Sequence, residues 1–251
     1  FFESMQQFAT WLEARGHDVI FWKLDHPENE QDLAKNLKKL MEAHDITKFE
    51  YQLPDEFRLD QQLAEFCQHL TIPFEAFDSE HFLTARTDLA EFYEGKKEMT
   101  MEYFYRNMRK KYDIMMVNEK DPEGGSWNFD QSNRKKWKGE TEIPHERGFR
   151  KNVSETVQRI HDSGVETIGE IEEKSFNWPT SRADGLSVLN YFCKNLLVHF
   201  GDYQDAMHTE QVYLYHSRLS FAMNSKLLHP KEIIDSVIGY WRQHKNVIHI
   251  S

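Results

Sequence analysis

Apolar residues over the first eighty positions alternate between a helical and an extended spacing. Phe1, Met5, Phe8 and Leu12 share one helical face, and Gly16 is placed to end that helix. Asp18–Leu24, centred on Val19-Ile20-Phe21-Trp22, predicts a buried strand. Gln31–His44 predicts a helix with Leu33, Leu37, Leu40 and Met41 inward. Phe49–Leu53 predicts a second strand, and the stretch after Pro54 a helix to Leu70 on Phe57, Leu59, Leu63 and Phe66. Ile72–Phe77 predicts a third strand. Strands alternating with helices imply parallel pairing through right-handed crossovers. A helix at the start of such a domain normally follows a strand, so a first strand is expected to have been left out of these 251 residues. Ligands of such sheets bind at the carboxyl ends of the strands, so that omission would remove part of a site.

The pattern changes after residue 95. Lys96–Lys111 predicts a helix, apolar at Met99, Tyr103, Phe104 and Met108 and basic at Arg106, Arg109, Lys110 and Lys111. Met115–Glu146 keeps no period, yet Trp127, Phe129 and Trp137 argue against plain disorder. A stretch that long is a functional segment or a linker, and a connection packed across a domain boundary is expected. Val153–Ile160 predicts a short helix with Ser154 as candidate cap, and Phe176–Thr180 a turn. Arg182–Phe200 predicts a long helix with Leu186, Leu189, Phe192, Cys193, Leu196 and Leu197 on its apolar side. Glu232–His244 predicts one more, after Pro230, and the chain stops at Asn246–Ser251 without a natural close. The expected division is 1–95 as an α/β domain, 96–150 as a helix and connection, and 151–251 as the start of a helical domain.

Composition narrows the class. Hydrophobic residues at 39% and charged residues at 29% suit a soluble globular chain, and no apolar run approaches a membrane span. No signal-peptide pattern is visible, and Cys67 and Cys193 are too few for a disulfide framework, so a reducing cytoplasm is expected. A net charge of −11 excludes a uniformly basic nucleic-acid coat. Residues 96–150 nevertheless hold 13 Lys and Arg against 10 Asp and Glu. The strip Arg106, Arg109, Lys110 and Lys111, continued by Arg134, Lys135 and Lys136, is compatible with DNA, with a domain junction, or with an ordinary solvated face. The 13 histidines show no metal-binding spacing, so no metal is expected. The six tryptophans are read as packing.

The chemistry concentrates in Phe200–Pro230, where His216-Ser217-Arg218-Leu219-Ser220 opens an apolar run of helical spacing. Unpaired N–H groups at a helix start, two hydroxyls and a fixed positive charge suit a phosphate or pyrophosphate. The plainer reading is that Ser217 caps the helix.

Tyr203, then His-Ser-Arg-Leu-Ser, then Asn224-Ser-Lys-Leu-Leu-His-Pro230 resembles the flavin-phosphate segment of the photolyase/cryptochrome family. The usual family form has Thr where this chain has His216, then Ser-x-Leu-Ser, a Gly-containing turn and Ser-Pro. His216, the preceding GDYQDAM and the upstream GGSWNFDQSNRKKW resemble most closely the prokaryotic photolyase-related branch, the iron–sulfur group that includes bacterial (6-4) photolyases. The resemblance implies a Rossmann-like parallel-sheet domain followed by part of an all-α flavin-binding domain. It implies FAD, held at its phosphate end by Tyr203, His216, Ser217, Arg218, Leu219 and Ser220, and an amino-terminal domain that can hold a lumazine-type antenna pigment. It further implies light-driven electron transfer from reduced FAD to a pyrimidine photoproduct in damaged DNA, with a cryptochrome-type blue-light sensor as the alternative. The resemblance also implies an iron–sulfur cluster in the parent protein, whose four thiolate ligands are not offered by the two cysteines here. The chain is therefore expected to be an amino-terminal portion, monomeric and inactive on its own.

Overall fold

The structure is a computed structural model that describes residues 1–250. Ser251, the end of the expected 151–251 segment and of the Asn246–Ser251 stretch, lies outside the described residues. The chain forms two compact units, each built from two separate stretches: Phe1–Phe82 with Phe149–Asn177, and Leu83–Gly148 with Trp178–Ser251. Residues 149–177 are closed on themselves by an antiparallel bridge between Lys151 and Phe176, and join the first stretch through the Thr156 hydroxyl, which donates to the Glu3 carboxylate, and through Arg159, which pairs with Asp25 at 3.0 Å.

In the first unit, helix α1 (Phe2–Glu13) and helix α2 (Leu33–Ala43) precede a strand–helix–strand unit. Strand β1 (Phe49–Gln52), helix α3 (Phe57–Gln68) and strand β2 (Phe74–Phe77) follow in order, and the strands pair in parallel with Phe49 opposite Phe74. A parallel pair needs a crossover, and α3 supplies it. Leu63 and Cys67 of α3 are buried, and Phe66 meets Phe49 edge-on at 5.9 Å. Asp32 caps α2 by accepting from the Lys35 N–H at 3.1 Å. A small parallel two-stranded sheet with many helices is compatible with an α/β fold.

Asp18–Leu24 departs from its expected state. It forms no strand, and Ile20 and Phe21 are exposed. A strand exists only with a partner for its backbone groups, and this segment pairs with neither β1 nor β2. Instead Trp22 stacks on His26 at 5.1 Å. Helix α6 (Ser154–Asp162) forms as expected, but its N-cap is Val153, and Ser154 makes no capping bond.

The second unit holds α4 (Asp88–Tyr93), α5 (Met101–Lys111), the long connection, and the helices α7 to α10. Ser181 and Asp184 form a reciprocal capping box that starts α7 (Arg182–Tyr191). One π-helical turn, Phe192–Leu196, then leads into α8 (Leu197–Tyr203). Helix α9 covers only Ser220–Asn224, and Pro230 occupies the first turn of α10 (Pro230–Gln243). The core gathers Leu189, Phe192, Leu219, Ala222, Leu228 and Trp241. Among the described residues no helix is long and apolar enough to cross a membrane.

Gly185 faces this core, where an added Cβ would lie 3.1 Å from Leu228 Cγ, whereas a Cβ on Gly239 of α10 would meet nothing within 4 Å. Overpacking costs about 1–3 kcal/mol, against roughly 1 kcal/mol gained in helix propensity. Chemical denaturation should therefore show Gly185→Ala less stable than wild type and Gly239→Ala more stable by about 0.5–1 kcal/mol.

Candidate functional site

Two tyrosines fasten the segment that carries the candidate residues. Tyr203, at the end of α8, and Tyr215 stack at 5.4 Å, and both are buried. The Tyr203 hydroxyl donates to Glu140 Oε1 at 2.7 Å. The Tyr215 hydroxyl sits 2.7 Å from Thr141 Oγ1 and 2.8 Å from the Glu142 carbonyl. The Trp137 indole N–H donates to the Thr141 carbonyl at 3.1 Å. The long connection is thus anchored inside the second unit. Its hydrogen bond to the carboxylate, followed by burial, pushes the Tyr203 phenol up to about 12, while the same bond holds the Glu140 carboxyl below the usual range.

Beyond Tyr215 the chain opens a cleft of about 510 Å³ lined by Trp178, Phe200, Gln204, Asp205, Tyr213, His216, Ser217, Arg218 and Ser220. Arg218 adopts the left-handed conformation at φ 56°. Its guanidinium lies between two aromatic faces, 4.6 Å from the Trp178 centroid and 4.1 Å from that of Tyr213. Trp178 is itself stacked on Phe221 at 4.9 Å. Arg218 Nη1 donates to the Glu146 carboxylate, while Arg218 Nε is buried with no hydrogen-bond acceptor.

The cleft therefore assembles His216, Ser217, Arg218 and Ser220, but Tyr203 and Leu219 are not among its lining residues. Leu219 is buried in the core, and the Tyr203 hydroxyl is spent on Glu140. His216 donates from Nε2 to the Ala206 carbonyl at 3.1 Å, bracing the loop between them. That bond commits the Nε2 N–H within the protein. Ser217 is not the helix cap either: the N-cap of α9 is Leu219, and the Leu219 N–H reaches Ser217 Oγ only at 3.5 Å. Helix α9 spans five residues, so its dipole is short and the hydroxyls and guanidinium are the substantive donors.

The basic strip does not hold together as a surface. Arg109 is 7% exposed, and its guanidinium donates to the carbonyls of Ile114, Trp127 and Met115 at 3.1, 3.2 and 2.6 Å. It anchors the start of the connection. Arg106 pairs with Glu102 at 2.9 Å and Lys111 with Asp88 at 2.9 Å, while Lys110 is exposed beside the Trp127 ring. Arg134 and Lys135 face Asp205 and Asp202. Helical spacing pointed to one face for the strip, but it carried no sign that Arg109 had carbonyls to satisfy. Glu146, Trp178 and Tyr213 were missed because they flank the motif across loops without a period. Among the described residues no group of three or more His, Cys, Asp or Glu is placed to hold a metal ion.

The profile of the family described as deoxyribodipyrimidine photo-lyase-related protein matches residues 1–178. The chain belongs to that family. This photolyase-related chain is also similar to a (6-4) photolyase of Agrobacterium fabrum, at 30% identity over 232 residues, 90% of this chain and 45% of that protein. It is similar at 27% identity over 135 residues to an uncharacterized protein of Acanthamoeba polyphaga mimivirus, covering 52% of this chain and 66% of that protein. The photolyase-related chain thus spans less than two thirds of each relative. The family match ends at Trp178, on the edge of the cleft, whereas the alignment with the (6-4) photolyase takes in most of the chain.

Two outcomes follow for the photolyase-related chain. Arg109→Met should lower stability by about 2–4 kcal/mol by stranding buried carbonyls, whereas Lys110→Met should stay within about 0.5 kcal/mol, both read by urea denaturation. Tyr203 has a folded pKa above its unfolded value of about 10. Its contribution is complete below pH ~10 and is lost as pH rises through about 12. The stability difference between wild type and Tyr203→Phe should shrink over that window, as measured by denaturation at a series of alkaline pH values.

Proposed function

We propose that the chain is part of a photolyase-like flavoprotein acting on damaged DNA, and that its cleft receives the phosphates of FAD. The observation that carries this is Arg218: a buried, orphaned Nε donor held between two rings, in a cleft that also presents the hydroxyls of Ser217 and Ser220. Anionic oxygens satisfy such a donor, and a guanidinium fork suits them in pairs. Family membership and the (6-4) photolyase relative support the same reading.

In this reading the first unit is a Rossmann-like domain and the second belongs to a helical flavin-binding domain. When bound, reduced FAD supplies the light-excited electron used on the photoproduct. Ser217 and Ser220 orient the phosphate oxygens, Arg218 offsets their charge, and Trp178 and Phe200 keep water from one wall. Of the former strip, Lys110 and Lys111 stay exposed enough to meet a DNA backbone. An antenna pigment is assigned no residue. Cys67 and Cys193 are both buried and supply two thiols where an iron–sulfur cluster takes four, so no step involves one here.

Flavin retention after purification of the intact protein tests the site. Ser217→Ala should weaken retention by about fivefold, the scale of one hydrogen bond of ~1 kcal/mol. Ser220→Leu should abolish it by also blocking the cleft. A folded Ser220→Leu protein with its full flavin complement would exclude the site.

A further inference from the structure

The cleft's cation already has an anion. Arg218 Nη1 donates to Glu146, and the two members of the pair are held very differently. The Arg218 side chain is 12% exposed, clamped between Trp178 and Tyr213 on a left-handed backbone. The Glu146 side chain is 33% exposed and stands on a stretch with no regular secondary structure, 142–148. The cation is fixed, and the carboxylate is the partner able to leave.

We propose that Glu146 is a built-in stand-in for the ligand anion, which a pyrophosphate-bearing ligand displaces from Arg218; this rests on the cleft being a phosphate site. A guanidinium so far withdrawn from water is destabilising without a counter-charge, so a carboxylate is needed there whenever no ligand anion supplies one. The stand-in is imperfect: it leaves Arg218 Nε without an acceptor, whereas an anion with several oxygens can engage Nε and Nη together. Ser217 and Ser220 also line the cleft and add hydroxyl donors that pyrophosphate can use. Glu146 thereby sets a threshold for entry. A single weak anion does not outcompete a tethered carboxylate, and a polyvalent phosphate does. Glu146 acts through Arg218 and is a positioning residue.

The test is calorimetric titration of inorganic pyrophosphate into the intact protein, using wild type, Glu146→Gln, Glu146→Ala and Arg218→Met. Glu146→Gln and Glu146→Ala should bind about tenfold more tightly than wild type, the scale of removing one competing charge-assisted hydrogen bond, and Arg218→Met should lose most binding. If Arg218→Met weakens binding but both Glu146 variants match or fall below wild type, the displacement proposal is overturned and the phosphate site stands. If wild type shows no binding, or Arg218→Met binds as well as wild type, the phosphate site falls and the proposal with it. Should the Glu146 variants not fold, hydrogen exchange on wild type gives the answer. Pyrophosphate should then speed exchange in 142–148, and unchanged or slower exchange overturns the proposal.

Discussion

Two phenolic hydroxyls hold the second unit's long connection in place. Through Tyr203 and Glu140, and through Tyr215 with Thr141 and Glu142, residues 140–142 are fixed against the end of α8 and the loop after it. Everything on the cleft's charged side depends on that attachment. Glu146 can meet Arg218 only because the chain four residues earlier is anchored, and Arg218 can stay half-buried only because Glu146 arrives. Unpaired, a buried phenol or guanidinium would oppose folding, so each polar group in this chain of contacts requires the next.

The same logic separates what the sequence disclosed from what it did not. Elements whose apolar residues repeat with one period were legible: α2, α3, β1, β2 and α10 lie within a few residues of their expected bounds. Asp18–Leu24 had strand composition but lacked a partner, and no local pattern reports a ladder. The 115–146 stretch was legible only as aperiodic. Its order comes from side chains meeting main chain at long range, as when Arg109 reaches the Trp127 carbonyl.

The candidate site was half legible for the same reason. The motif His216–Ser220 placed four residues on one cleft, because neighbours in sequence must be neighbours in space. It did not reveal that Leu219 turns inward after the left-handed Arg218, or that Tyr203 at the end of α8 faces a carboxylate 63 residues upstream. Nor could it indicate that the motif's arginine was partnered from seventy residues upstream. Family membership tells what kind of protein carries such a segment. The burial and pairing of Arg218 describe how this one is prepared for an anion.

The π-helical turn between α7 and α8 has a consequence for how this region can change over evolution. Phe192–Leu196 accommodates one more residue per turn than an α-helix would, closing with the Leu197 N–H on the Phe192 carbonyl. Loss of one residue there would restore an α-helical turn, and the later side chains would keep their bearings, because the wider turn already absorbs the extra residue. Gain of a further residue, with no second widening to absorb it, would rotate His199, Phe200 and Tyr203 together by about 100° around the axis, and with them the aromatic wall and the phenol that anchors the connection. Those five positions can therefore shed one residue and leave the cleft standing, but cannot take on another without turning its wall away.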